Sequence, residues 1–317
     1  MERRTIGPDG LEVAAIGLGC MPFTWAYGTE EERDDIDGAA VVHRAIELGM
    51  TLIDTADVYG PFTNEELVGQ ALAGRREQVV LATKSGLVAR PDRTVVRDGR
   101  PDHVRRACDE SLRRLRTDRI DLYQLHRVDP EVPVEETWGA MAELVATGKV
   151  RALGLSEATA DELSRAQQVF PVTSVQSELS LWTRDPIENG VLDWCRGHRA
   201  GFLAFSPLGR GFLTGTLAPG RFGSTDFRAR NPRFTEAAMR ANAAIIDVVR
   251  EVAARHDATP GQVALAWVLA QSDNVVPIPG TTKLRHLEDN AAAADLRLTA
   301  EDLAELDRLP QPVGSRY

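Results

Sequence analysis

Three cysteines, Cys20, Cys108 and Cys195, are too few and too far apart for a disulfide framework, and no C-x-x-C spacing occurs. None stands beside a histidine, so structural zinc is not expected. The six histidines are scattered, which argues against a metal-dependent hydrolase. Positive charge is also scarce. Lys and Arg total 37 against 47 Asp and Glu, for a formal net charge of −10. That balance argues against a nucleic-acid partner. It also gives an anionic membrane surface nothing to attract. The longest apolar run, Val263 to Ala270, falls far short of the ~20 residues a bilayer span needs. The opening Met1-Glu2-Arg3-Arg4-Thr5 lacks the apolar stretch of a signal peptide, so the cytoplasm is the expected compartment.

What is present is an ordinary globular composition, 43% hydrophobic and 26% charged over 317 residues. A chain of this length buries roughly three-quarters of its unfolded surface, as one large barrel or two modest domains. Arg4 to Val13 reads as a hairpin turning at Pro8-Asp9-Gly10. From Val13 onward, short apolar strands alternate with helices. The strands are expected at Val13 to Gly19, Thr51 to Asp54, Gln78 to Lys84 and Ile120 to His126. Four more follow at Val150 to Ser156, Ser174 to Ser177, Gly201 to Ser206 and Val275 to Ile278.

Between them lie helical patterns such as Asp37 to Leu48, Ile187 to Arg196 and Thr235 to His256. One begins at the capping box Thr259-Pro260-Gly261-Gln262. Loops are expected up to Arg100 and, rich in glycine, from Gly209 to Phe234. Continuous apolar strands are those of a parallel sheet buried on both faces. Eight β/α units without a linker predict a single (β/α)₈ TIM barrel over 1–317, with an N-terminal β-hairpin and extra C-terminal helices. A doubly wound sheet is disfavoured, because Ile16-Gly17-Leu18-Gly19-Cys20-Met21 lacks the third glycine of a dinucleotide fingerprint.

Catalytic groups of a barrel gather at the C-terminal strand ends. Those ends offer Asp54 with Tyr59 beyond, then Lys84, then His126. Tyrosine has a pKa of about 10, and a neighbouring lysine is expected to lower it. Asp54 would hold Lys84 charged, Tyr59 would protonate an oxygen, and His126 would position that oxygen. Proton delivery to oxygen fits carbonyl reduction by an outside hydride. Each signal is weak singly; four at one end of one barrel are strong.

These stretches resemble the aldo-keto reductase family. The resemblance rests on Asp54-Thr55-Ala56-x-x-Tyr59-Gly60, Thr83-Lys84 and Asp121-Leu122-Tyr123-Gln124-Leu125-His126. It continues through Gly154-Leu155-Ser156, Gln176, Ser206-Pro207-Leu208 and Ile278-Pro279-Gly280-Thr281 to Asn290. Leu125-His126-Arg127-Val128-Asp129-Pro130 is most similar to the bacterial and plant branch with broad aldehyde and ketone substrates.

The resemblance implies a catalytic tetrad of Asp54, Tyr59, Lys84 and His126, with NADPH/NADP+ as cofactor. Ser156 and Gln176 would hold the nicotinamide carboxamide, beside Glu157 where the family commonly has asparagine. Phe205 would stack on the nicotinamide ring. Ser206, Pro207, Leu208, Gly209 and Gly211 would line the pyrophosphate, with Arg210 as a charge partner. Gly280, Thr281, Thr282 and Lys283 would wrap the 2′-phosphate, with His286 where many members have arginine and Ile278 as a further cofactor contact. Asp289 and Asn290 would meet the adenine, and Gly19, Cys20 and Met21 would complete the cofactor wall.

Phe23, Trp25, Arg127 and Trp182, with Tyr59 and His126, are the expected substrate residues, facing a small-molecule carbonyl compound. Arg127 would bind an anionic substrate group or pair with Asp129 or another acid. A cofactor-sensing regulatory subunit on the same barrel is the alternative. Substrate identity and oligomeric state are left open.

Overall fold

The computed structural model describes residues 1–34, 36–90, 94–218, 222–223 and 225–316. An antiparallel hairpin opens the chain, β1 (Arg3–Ile6) against β2 (Leu11–Ala14). Parallel strands follow: β3 (Leu18–Gly19), β4 (Leu52–Asp54) and β5 (Val80–Ser85). A second hairpin, β6 (Leu87–Ala89) with β7 (Val95–Arg97), stands outside the sheet. The sheet resumes with β8 (Ile120–Leu125), β9 (Val150–Ser156), β10 (Ser174–Glu178), β11 (Gly201–Phe205) and β12 (Val275–Pro277). Its order is β12-β11-β10-β9-β8-β5-β4-β3. Two backbone bonds, Gly17 N to Pro277 O at 3.0 Å and Gly19 N to Pro279 O at 3.1 Å, join its edges and close the barrel.

Why these segments are strands is plain from burial. Every residue of β8 is buried, as a strand packed on both faces must be. One face points inward. There Leu52, Ala82, Leu122, Ala152, Leu203 and Val276 form an interior core. Ile6, Leu11 and Val13 of the first hairpin join that core and plug the barrel's N-terminal end. The other face meets the helices in a second, larger core. Helix Pro101–Leu115 shows the logic: proline sits at its first position, Val104, Cys108 and Leu115 face inward, and Arg116 closes it at φ 54°. The capping box at Thr259 forms as expected and starts helix Pro260–Ala270.

Four expectations need correction. Of the run Val13 to Gly19, only Leu18–Gly19 pairs in the barrel, because Val13 and Ala14 serve the hairpin. The loop before Arg100 contains the β6–β7 hairpin; Pro91, Asp92 and Arg93 lie outside the described residues. The helix expected from Ile187 to Arg196 is two, Asp185–Glu188 and Val191–His198, broken at Gly190 with φ 81°. Thr235 to His256 also divides, into Glu236–Ala241 and Ala243–Arg255. At the break the Asn242 side chain accepts from Val313 N at 2.8 Å and donates to Val313 O at 3.0 Å, tying the C-terminal tail down. Among the described residues, no helix is long and apolar enough to cross a membrane.

Candidate active site

Strand register assembles the site. Asp54 lies beside Gly19 on one strand and Ala82 on the other, Lys84 beside Gln124, and Ser156 beside Gln176. Lys84 Nζ donates to Asp54 Oδ1 at 2.5 Å and to Thr55 O at 2.8 Å. It reaches the Tyr59 hydroxyl at 3.4 Å. Asp54 Oδ2 accepts from Gln176 Nε2 at 2.9 Å and from Gln124 Nε2 at 3.2 Å. The His126 ring stands edge-on to Tyr59, 5.8 Å between centroids, and Trp25 meets the same tyrosine at 6.3 Å. The four tetrad positions are therefore brought together. Gln124 was not expected, although it stood inside the Tyr123-Gln124-Leu125-His126 motif: a buried amide at a strand's inward position needs a polar partner.

Electrostatics refine the expected roles. Burial pulls the Lys84 ammonium down, but the charges of Asp54 and Tyr59 and their hydrogen bonds outweigh it and hold its pKa above the ordinary value. Burial raises the Tyr59 hydroxyl; Lys84 opposes this and does not reverse it. The lowered tyrosine pKa expected from the sequence is thus corrected: the phenol is held protonated. His126 is pushed well below the ordinary imidazole value, by burial first and then by Lys84 and Arg127, so its ring is neutral. Its Nδ1 is buried and without a partner among the described residues.

A second polar layer holds the loop from Asp54 to Gly60. Thr83 donates to buried Glu65 at 2.6 Å, and Arg114 Nε donates to the same carboxylate at 2.7 Å. Asn64 accepts from Thr55 at 2.7 Å and donates to Cys20 O at 2.9 Å. Gly60 has φ 76°, and a Cβ there would lie 2.2 Å from Thr63 Oγ1, so the turn that presents Tyr59 requires glycine. Asp57 is buried with Oδ1 unpartnered, and burial and the Glu65 charge raise its pKa well above the ordinary value.

The expected cofactor residues fall along one rim. Ser156 is buried and accepts from Arg127 Nη1 at 3.0 Å; Glu157 follows at φ 55°. Phe205 ends β11, and Ser206 to Gly211 curl on from it. Gly280 packs against Gly19 and Pro22, where a Cβ would meet Pro22 Cγ at 2.7 Å and Gly19 O at 2.8 Å. Cys20 N donates to Asp54 O at 2.8 Å, and Met21 opens the turn Met21–Phe23. Ile278 and Thr281 are buried, Thr282 is half-buried, and Lys283 and His286 are exposed at the start of helix Leu284–Ala292. Asp289 is half-buried; Asn290 is buried.

Four placements differ from expectation. Arg210 is buried and ion-paired to Glu178 at 2.8 Å, so its charge is already met. Trp182 does not overhang the mouth: it is 2% exposed and stacks on Phe212 at 4.2 Å beneath the long connection. Phe23 is likewise in the core. Arg127 is not paired with Asp129, which instead accepts from Gly99 N at 2.8 Å and Glu131 N at 3.0 Å.

The chain is a closed (β/α)₈ barrel with a buried Lys–Asp pair, a protonated tyrosine and a neutral histidine gathered at its mouth. Comparison with known proteins narrows this. The Aldo/keto reductase family profile matches residues 15–310. A probable aldo-keto reductase of Glycine max is 44% identical over 318 residues, spanning 98% of this chain and 90% of its own. The glycerol dehydrogenase of Gluconobacter oxydans is 30% identical with a TM-score of 0.88, covering 99% of this chain and 98% of that one. An aldo-keto reductase of Klebsiella pneumoniae, solved with NADPH, is 32% identical with a TM-score of 0.72, covering 99% and 97%. The chain belongs to the aldo-keto reductase family, a family of NADP-dependent oxidoreductases.

Proposed function

We propose that the chain reduces an aldehyde or ketone to the alcohol, with NADPH as hydride source and Tyr59 as proton donor. The observation that carries this reading is the buried Asp54–Lys84–Tyr59 chain beside a neutral His126. NADPH, when bound, supplies the hydride. The protein's residues handle the oxygen. Tyr59 keeps its proton until negative charge grows on the carbonyl oxygen, then donates it. The Lys84 ammonium, 3.4 Å from the phenol, stabilises the phenolate left behind. Asp54 keeps Lys84 charged and aimed. His126, neutral, offers a ring N–H to the same oxygen without adding a charge that would compete with Lys84.

The donor set fits the cofactor. Ser206, Gly209, Arg210 and Gly211 all have positive φ, from 48° to 96°, a curled backbone of the kind that receives anions. Asn290, expected at the adenine, carries a buried Nδ2 with no partner among the described residues. In this reading Ser156 and Gln176 take the carboxamide, Phe205 stacks on the ring, and Ser206 to Gly211 hold the pyrophosphate. Gly280 to Lys283, with His286, take the 2′-phosphate, and Asp289 and Asn290 the adenine. Trp25 supplies an apolar wall for the substrate. Arg127, whose guanidinium has no carboxylate partner among the described residues, supplies a positive one.

The test is NADPH oxidation with a panel of aldehydes, followed by Tyr59→Phe. Loss of general-acid catalysis lowers kcat by about 10²–10⁴ while NADPH affinity is kept. A Tyr59→Phe enzyme that turns over at the wild-type rate rejects the assignment.

A further inference from the structure

Where asparagine is common in the family, this chain places Glu157 at the nicotinamide end of the rim. Glu178 lies beside it, 2% exposed, at the end of β10. A dinucleotide phosphate is itself anionic, so two carboxylates there oppose its binding unless they are neutralised. Arg210 already meets Glu178 at 2.8 Å, and the C-terminal tail supplies the charge that meets Glu157. Arg316 Nη2 donates to Glu157 Oε1 at 2.6 Å, and Arg316 Nε to Glu178 Oε2 at 2.8 Å. Its guanidinium lies 5.7 Å from the centre of the Phe205 ring. The tail is fixed from below: the Arg316 carbonyl accepts from Asn231 Nδ2 at 2.8 Å and from Arg210 Nη1 at 3.1 Å. Gly314 O accepts from Arg233 Nε at 3.2 Å.

We propose that Arg316 is a positioning residue for the cofactor's nicotinamide end. It neutralises Glu157 and holds that carboxylate and Glu178 back from the ring, and so sets the relative affinity for NADPH and NADP+. The proposal rests on the reading that the cofactor lies across this rim. The sign follows from charge. The nicotinamide ring is neutral in NADPH and positive in NADP+. Removing Arg316 leaves a bare carboxylate beside the ring, which favours the oxidised form. Two charges several ångströms apart near a protein surface interact by an amount that changes affinity on the order of ten-fold.

The experiment is direct titration of NADPH, NADP+ and adenosine 2′,5′-bisphosphate against wild type, Arg316→Gln, Arg316→Lys, Glu157→Asn and the Glu157→Asn/Arg316→Gln double variant. Arg316→Gln is expected to raise the ratio Kd(NADPH)/Kd(NADP+) about ten-fold. Adenosine 2′,5′-bisphosphate, which lacks the nicotinamide end, binds unchanged. Arg316→Lys restores most of the ratio, because a point charge suffices for neutralisation, and the Glu157→Asn background removes most of the effect. An unchanged ratio, or equal weakening of all three ligands, overturns the assignment. Tighter NADPH binding by Arg316→Gln overturns it as well, since the tail then obstructs the site. Wild type failing to bind either dinucleotide refutes the functional reading instead.

Discussion

Lys84→Met tests the buried ion pair on which the site is built. The Lys84 and Asp54 side chains are 1% and 4% exposed, and Nζ to Oδ1 is 2.5 Å. Methionine keeps most of the stem and deletes the ammonium. Asp54 then keeps only the amides of Gln176 and Gln124, at 2.9 and 3.2 Å, and Thr55 O loses its donor. Breaking one side of a buried pair costs about 3–5 kcal/mol. Hydrogen bonds to a charged group contribute about 1.5–3 kcal/mol each, so the two amides place the expected loss at the low end, about 3 kcal/mol.

The pH matters here. The folded pKa of Lys84 is raised, so its contribution is fully present below the unfolded value of about 10.4 and is lost only as pH rises through the folded value. Urea unfolding at pH 7.5 therefore reads the whole effect. Adding Asp54→Asn removes the stranded charge, so the double variant recovers at least about 1 kcal/mol over Lys84→Met alone. A Lys84→Met protein within about 0.5 kcal/mol of wild type at unchanged m-value refutes the reasoning, as does a double variant no more stable than the single one.

Two further outcomes follow from the same electrostatics. His126 has a depressed folded pKa, so its contribution is present above the unfolded value of about 6.5 and is lost as pH falls below it. Urea midpoints measured at pH 7 and pH 5 drop less for His126→Asn than for wild type, and equal drops reject a buried neutral histidine. Asp57 has a raised folded pKa, so its contribution is lost as pH rises above about 3.9. Asp57→Asn is expected to gain about 1–2 kcal/mol at pH 7 by removing a buried carboxylate with an unpartnered oxygen; a loss of stability in the same urea assay counts against this.

The barrel was legible because its strands are short, continuously apolar and separated by capped helices. The gathering of Asp54, Tyr59, Lys84 and His126 was legible because all four follow or end strands at one end of the barrel. What escaped depends on distance in sequence. Thr235 to His256 reads as one helix, and Asn242, where it divides, is bonded to Val313, 71 positions on. Trp182 reads as a substrate residue until Phe212 is found stacked on it. The tyrosine pKa was misjudged for a related reason. Sequence supplies the charge of Lys84 but not the depth of burial, and at this site burial is the larger influence on Tyr59. Asp57 lies in the loop after β4, and its side chain takes no part in the hydrogen bonds that join Asp54, Lys84 and Tyr59.

The rim residues also explain how a site bonded largely within the protein can still fit a carboxamide. Ser156 Oγ accepts from Arg127, but a hydroxyl keeps its own proton to donate. Gln176 commits its Nε2 to Asp54 and Gln124, while its Oε1 accepts no bond among the described residues. One donor and one acceptor therefore remain, on neighbouring strands in register. A primary amide presents the complementary acceptor and donor. Glu157 could supply only acceptors when ionised, and its Oε1 is already taken by Glu178 N at 3.0 Å and Arg316 at 2.6 Å. In the proposed function the Ser156–Gln176 pair is then the amide-recognising element, with the same glutamine bracing the carboxylate that aims Lys84. In that reading, recognition of the ring and charge at the proton donor are coupled through that one side chain.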